Sequence, residues 1–269
     1  MEVSQLTEFS DQVIKAVELA SIEVMDIYNS ERFIVEDKSD GSPVTIADKK
    51  SHEVLFSYLT SIDSSIPILS EEGDRQDSNL EKFWLIDPLD GTKEFINKNG
   101  EFTVNVALIE EGKPILGVVS APAINETFLG FAGAAYKIVN EDKISISAKK
   151  QSEEHCLVTV SKSHKSEQDQ LFIDLCRKKF KSVEELPTGS SLKLCRVAEG
   201  RANIYSRLGP TYQWDIAAGQ AVVEASGGIV SDLSGKALRY EFISEKKNPL
   251  FFCSGDPIYP WKVLFEELI

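Results

Sequence analysis

Residues Phe83 to Phe95, FWLIDPLDGTKEF, constrain the fold more than any other stretch. Phe83, Trp84, Leu85 and Ile86 form a short apolar run, which reads as a buried strand. At Asp87 the character changes, and Asp87-Pro88-Leu89-Asp90-Gly91-Thr92 follows no regular period. Pro88 fixes one backbone angle and withdraws an N–H. Gly91 admits a conformation that other residues resist. A rigid turn of this composition can aim Asp87, Asp90 and the Leu89 carbonyl at one point, and converging oxygens are what Mg²⁺ takes. The same residues equally describe a strand that ends in an ordinary Asp-Gly turn.

The rest of the chain supplies layers around that strand. Apolar side chains at Leu6, Phe9, Val13, Val17, Ala20, Val24, Ile27 and Tyr28 mark a helical stripe. Glu36 to Pro43 is polar and reads as a loop containing Lys38, ordinarily a solvated charge. Thr45 to Asp48 has capping-box spacing ahead of a helix that buries Ala47, Val54, Leu55, Tyr58 and Leu59, so Asp48 reads first as a cap. Ile66 to Leu69 is a short strand that stops at Ser70-Glu71-Glu72. Apolar runs at 102–109, 115–120 and 127–131, with an extension at 136–146, suit an antiparallel meander.

A polar stretch at 147–154 predicts a boundary between an N-terminal half, 1–150, and a C-terminal half, 151–269. Beyond it, strands are expected at 157–160, 202–205, 229–232 and 250–254. Helices are expected around Leu171 to Cys176, after Thr188-Gly189-Ser190-Ser191, over Trp214 to Ala225, and over Pro257 to Leu268. Blocks of elements in the first half and alternation in the second predict an α+β fold with sheets layered between helices.

Composition narrows the partners. The 269 residues carry 29 Lys plus Arg against 43 Asp plus Glu, a formal net charge of −14. Nucleic acid and anionic membranes are poor partners for such a chain. Cys156, Cys176, Cys195 and Cys253 have no zinc-ligand spacing and suit a reducing compartment as small buried residues. The opening MEVSQLTEFSDQV lacks the basic and apolar regions of a signal peptide, and no apolar run is long enough to span a membrane. A cytoplasmic protein with no integral membrane segment is expected.

Four carboxylates, Glu71, Asp87, Asp90 and Asp215, stand at the ends of predicted elements. Asp215 alone suits the positive end of its helix. Gathered in one pocket, the four would repel one another unless cations lay between them. An EF-hand fails: counted from Asp87, Leu89 occupies position 3 and Gly91 position 5, where oxygen ligands are needed.

Glu71-Glu72, the DPLDGT of Asp87 to Thr92 and the WDIAAG of Trp214 to Gly219 resemble, in order and spacing, the metal-site motifs of the inositol monophosphatase-like, lithium-sensitive, Mg²⁺-dependent phosphatases. GSSLKLC at Gly189 to Cys195 and VAEGRANIYSRLGP at Val197 to Pro210 are most similar to the 3′(2′),5′-bisphosphate nucleotidase, CysQ-type, branch. The resemblance implies an α-β-α-β-α sandwich and removal of the 3′-phosphate of adenosine 3′,5′-bisphosphate, with 3′-phosphoadenylyl sulfate as a further substrate. It implies two or three Mg²⁺ ions. One would lie near Glu71, Asp87 and the Leu89 carbonyl, another near Asp87, Asp90 and Asp215. Glu71, Thr92 and Asp48 become the expected catalytic residues; Asp48 then serves beyond capping. Gly91, Thr92, His164, Ser190, Lys193, Arg207 and Asp215 become the expected substrate contacts. Lys38 matches a family lysine without a defined role. A monomer or homodimer is implied, with peripheral attachment to the inner membrane as a family trait.

Three other readings use the same residues. An inositol monophosphatase or broader sugar phosphatase would use the same metals with a different second-half pocket. A metal-dependent binding protein would keep the fold without turnover. An aspartyl-phosphate mechanism would make an Asp the nucleophile.

Overall fold

The computed structural model describes residues 1–30, 35–37, 43–75, 77–162 and 166–267. Lys38 and His164 lie outside the described residues.

Helix α1, Val3–Asn29, buries the predicted stripe from Leu6 to Val24. Strands β1, Val35–Asp37, and β2, Pro43–Thr45, pair antiparallel. The stretch expected as a loop therefore has strand at both ends. Helix α2, Ile46–Ile62, starts at the predicted capping box. Strand β3, Ile68–Ser70, runs parallel to β4, Lys82–Asp90.

Strand β4 is longer than its apolar run, because it continues through Asp87 to Asp90. Its pairing with β5, Thr103–Glu110, shifts between Asp87↔Asn105 and Asp90↔Thr103. Three steps on β4 oppose two on β5, so one extra residue bulges out. A bulge is where a sheet tolerates proline, since the missing N–H interrupts no ladder bond. The acidic segment is thus an irregular strand end, and Gly91 closes it before the short helix α3, Thr92–Ile96.

The meander continues through β6, Lys113–Ala121, β7, Glu126–Phe131, β8, Ala134–Val139, and β9, Asp142–Ser145. Together β3 to β9 form a seven-stranded sheet in chain order. The later elements are β10, His155–Ser161, α4, Glu167–Lys179, β11, Ser182–Thr188, α5, Leu192–Ala198, and β12, Ile204–Arg207. After them come α6, Trp214–Ala225, β13, Ile229–Asp232, β14, Phe251–Ser254, and α7, Trp261–Glu266. The second sheet has the order β11-β10-β12-β14-β13. Its β11 has no counterpart in the sequence reading, and α7 begins only after Pro260, four residues later than expected.

Three cores tie the layers together. Residues of α1 and α2 pack on one face of the first sheet. Its other face shares a core with α5, α6 and the second sheet, through residues such as Leu85, Leu194, Ala218 and Phe251. The outer face of the second sheet is covered by α4 and α7. The order is α-β-α-β-α. The four cysteines are free and buried. Among the described residues no helix is long and apolar enough to cross a membrane.

Candidate active site

Pairing direction brings the first two acids together. Because β3 and β4 are parallel, with Ser70 beside Ile86, the residues that follow, Glu71 and Asp87, emerge side by side. A bond from the Glu71 N–H to the Ile86 carbonyl, 3.2 Å, extends the pairing to that step. The third acid, Asp215, comes from the first turn of α6. That helix lies almost on the backbone of the first sheet. A Cβ added at Gly117 would stand 2.3 Å from the Ala218 carbonyl oxygen, and one at Gly130 would stand 2.4 Å from Val222 Cα. The two glycines let α6 sink far enough to deliver Asp215.

Carboxylate oxygens of Glu71, Asp87 and Asp215 lie within 4.8 Å of one another. Burial, then the nearby Asp90 and Glu71 charges, push the Asp215 carboxyl well above its usual range. An accepted bond from the Tyr212 N–H, 2.9 Å, offsets this only in part. An all-oxygen, acid-rich donor set that repels its own charge fits a hard divalent cation.

Asp90 stands beside this trio and faces α5. Its Oδ2 accepts the Ser191 N–H at 2.6 Å. Burial raises its pKa, opposed by the Lys193 charge and by hydrogen bonds from Ser190 and Ser191. The Leu89 carbonyl stays near Thr92, whose Oγ1 is 3.5 Å away. Ser51 on α2 donates to the Pro88 carbonyl at 2.7 Å and pins the bulge from behind.

Gly91 adopts φ +87°, in the left-handed region, and the chain turns there into α3. Thr92 Oγ1 then reaches Asp48 Oδ1 at 3.4 Å. Asp48 Oδ2 meanwhile accepts the N–H and the hydroxyl of Thr45, each at 2.7 Å. Its two roles are therefore compatible, one for each oxygen.

From the second half, the chain between β11 and α5 turns sharply at Ser190, φ +51°. Lys193 is buried and donates to the Ser190 carbonyl at 2.5 Å. Burial lowers its pKa, while Asp90 works in the other direction. Arg207 Nη2 donates to the Pro210 carbonyl at 2.9 Å, and its Nε is buried without a hydrogen-bond partner among the described residues. A cavity of about 210 Å³ lies among Asp90, Ser190, Lys193, Tyr205, Arg207 and Asp215. It adjoins a cleft of about 550 Å³ that reaches Glu71, Asp87 and Thr92. A larger cleft, about 760 Å³, lies at the other end of β4 between Ser78 and Tyr240, and holds none of the residues singled out in the sequence.

The structure also brings in residues that the sequence did not flag. Glu101, Thr103 and Asn105 approach from the start of β5, and Tyr205 forms a wall beside Lys193. Tyr205 lies within the VAEGRANIYSRLGP stretch, but Glu101, Thr103 and Asn105 sit in no recognisable motif. Only the strand register places Thr103 opposite Asp90 and Asn105 opposite Asp87.

This fold and acid cluster have a family. The chain belongs to the inositol monophosphatase family, whose sequence profile matches residues 5–261. Among its relatives, the 3′(2′),5′-bisphosphate nucleotidase CysQ of Escherichia coli (strain K12) is 41% identical over 245 residues, covering 90% of this chain and 97% of the relative. The protein of the same name from Buchnera aphidicola is 41% identical over 241 residues, covering 87% and 88%. The crystal structure of CysQ from Bacteroides thetaiotaomicron, a bacterial member of the inositol monophosphatase family, superimposes with a TM-score of 0.81 at 34% identity, covering 92% of this chain and 97% of that one.

Proposed function

We propose that the protein is a Mg²⁺-dependent 3′(2′),5′-bisphosphate nucleotidase that removes the 3′-phosphate of adenosine 3′,5′-bisphosphate, giving AMP and phosphate. 3′-Phosphoadenylyl sulfate is a second substrate in this reading. One observation carries it: the cleft that holds the acid trio Glu71, Asp87 and Asp215 adjoins a cavity lined by Lys193 and Arg207. A site for a substrate with two separate phosphates needs both features.

Glu71, Asp87, Asp90, Asp215 and the Leu89 carbonyl would hold the Mg²⁺, two or three ions in all. Bound Mg²⁺ supplies charge neutralisation, an acidified water and a stabilised leaving oxygen. The chain's own groups do the rest. Thr92 Oγ1, bonded to Asp48, would accept a proton from the attacking water and pass its own on to Asp48; Glu71 would be a second acceptor. The Gly91 and Thr92 N–H groups would face the scissile phosphate. Ser190, Lys193 and Arg207 would hold the other phosphate by charge-assisted hydrogen bonds. Substrate would bind between the halves 1–150 and 151–269. The unpaired, buried cysteines support a cytoplasmic setting, and the working unit is a monomer or homodimer.

Phosphate release tests the proposal. Adenosine 3′,5′-bisphosphate should be hydrolysed with Mg²⁺ in clear preference to inositol 1-phosphate and fructose 1,6-bisphosphate, and Li⁺ should inhibit. Preference for inositol 1-phosphate would replace the nucleotidase reading with that of an inositol phosphatase. Activity on none would leave a binding protein.

A further inference from the structure

The turn at Gly189-Ser190-Ser191 belongs to the second half, yet most of what fixes it comes from the first. The Gly189 N–H donates to Glu101 Oε2 at 2.7 Å. Thr103 Oγ1 lies 2.6 Å from Ser190 Oγ and 2.7 Å from Ser191 Oγ. Ser191 Oγ donates to Asn105 Oδ1 at 2.9 Å, and its N–H donates to Asp90. A non-glycine residue at φ +51° is held by its surroundings rather than by its own preference.

Glu101 is the centre of this arrangement. Its Oε1 pairs with Lys162 at 3.1 Å while its Oε2 holds Gly189. Its backbone borders both turns, the Gly189 turn more closely. A Cβ on Gly189 would stand 2.7 Å from the Glu101 carbonyl oxygen, and one on Gly91 would stand 3.5 Å from the same atom. Glu101 therefore lies between the turn that carries Gly91 and Thr92 and the turn that carries Ser190. Lys193 follows, because its ammonium is bonded to the Ser190 carbonyl.

We infer that Glu101 is a specificity-determining positioning residue: by gripping the Gly189 N–H and Lys162, it sets the Ser190 turn and Lys193 at the spacing that a bisphosphate substrate requires. The inference rests on the proposed nucleotidase activity for its substrate.

The sign of the effect separates positioning from simple charge. Glu101 is an anion whose field reaches Lys193. If charge were its only contribution, neutralising it would draw an anionic substrate in more tightly. Positioning demands the reverse for a residue that cannot accept the Gly189 bond. Glu101→Ala removes both charge and acceptor; Glu101→Gln removes the charge and keeps an acceptor oxygen. The expected result for Glu101→Ala is a KM for adenosine 3′,5′-bisphosphate raised about tenfold, the size of losing a hydrogen bond to a charged group. Its kcat, and its KM for adenosine 3′-monophosphate, should stay within about twofold of wild type. Glu101→Gln should restore most of the KM. Amide hydrogen exchange across 189–191 should quicken in the Ala variant and not in the Gln variant. Equal or lowered KM in both variants, with unchanged exchange, would overturn the inference. Absence of wild-type activity on the bisphosphate would refute the nucleotidase reading instead. The exchange comparison would still decide whether Glu101 fixes the turn.

Discussion

Asp48 and Thr92 meet across a 3.4 Å hydrogen bond that joins the first turn of α2 to the first residue of α3. The bond uses one Asp48 oxygen, and the other closes the cap on Thr45. Two variants should therefore differ in kind. Thr92→Ala should lower kcat by about a hundredfold, in the range of a lost proton-transfer group, and leave the melting temperature close to wild type. Asp48→Asn should lower kcat and also cost about 1 kcal/mol of stability through the weakened cap. Steady-state kinetics beside calorimetry would distinguish them; a Thr92→Ala enzyme with normal kcat would remove Thr92 from the chemistry.

Glu71, Asp87 and Asp215 crowd negative charge that a divalent ion would relieve. Chelation with EDTA should lower the melting temperature. Mg²⁺ at a hundred times its Kd should add ~2.7 kcal/mol, roughly 5–10 °C for a chain of this size. Asp215→Asn should melt higher than wild type in EDTA and gain little from Mg²⁺. A variant that kept the full Mg²⁺ gain would show that Asp215 is not a ligand.

A second charged cluster lies away from the site. Lys137 and Arg196 each bridge Glu126 and Glu199, at 2.5 to 2.9 Å. Burial alone would raise the Glu126 pKa, but hydrogen bonds from Lys137 and Arg196 prevail and hold it below its usual range. A depressed carboxylate contributes stability that is present above its unfolded pKa, about 4.3, and lost as pH falls through the folded value. Arg196→Met should cost ~3 kcal/mol at pH 7, because two partly buried carboxylates lose a partner. The penalty should shrink below pH 4, which urea melts at pH 7 and pH 3.5 would reveal. An equal penalty at both values would show that Arg196 acts by packing alone.

Gly117 faces α6 with no room for a methyl group. Gly117→Ala should destabilise the protein by ~2 kcal/mol, the scale of an overpacked core. It should also weaken Mg²⁺ binding, because the displaced helix carries Asp215. Isothermal titration with Mg²⁺ would detect this, and unchanged affinity in a folded variant would mean that α6 can shift without moving its first turn.

Much of the architecture was legible because its apolar residues are patterned. The α1 stripe repeats at the helical spacing, the meander strands are apolar runs separated by turns, α6 is an Ala-rich and nearly continuous apolar stretch, and the capping box at Thr45 is a local pattern. Strand β11 escaped notice because SVEELPT is polar, half exposed and at a sheet edge. The extension of β4 through Asp87-Pro88-Leu89 was hidden by a proline that only a bulge admits. Glu71, Asp87, Asp90 and Asp215 stood out as acids at the ends of elements. Glu101 did not, since its partner Gly189 is 88 residues away and Glu101 itself belongs to no local pattern.

Helix α6, seated on Gly117 and Gly130, gives the acid trio a further property. Glu71 and Asp87 become neighbours as soon as β3 pairs with β4, a local event. Asp215 arrives from well over a hundred residues downstream, and only when α6 has docked. The long closure comes late in any folding sequence that forms local contacts first. Divalent-ion binding would then report completed assembly: a truncated or half-folded chain would present two of the three acids and hold the ion less firmly than the whole.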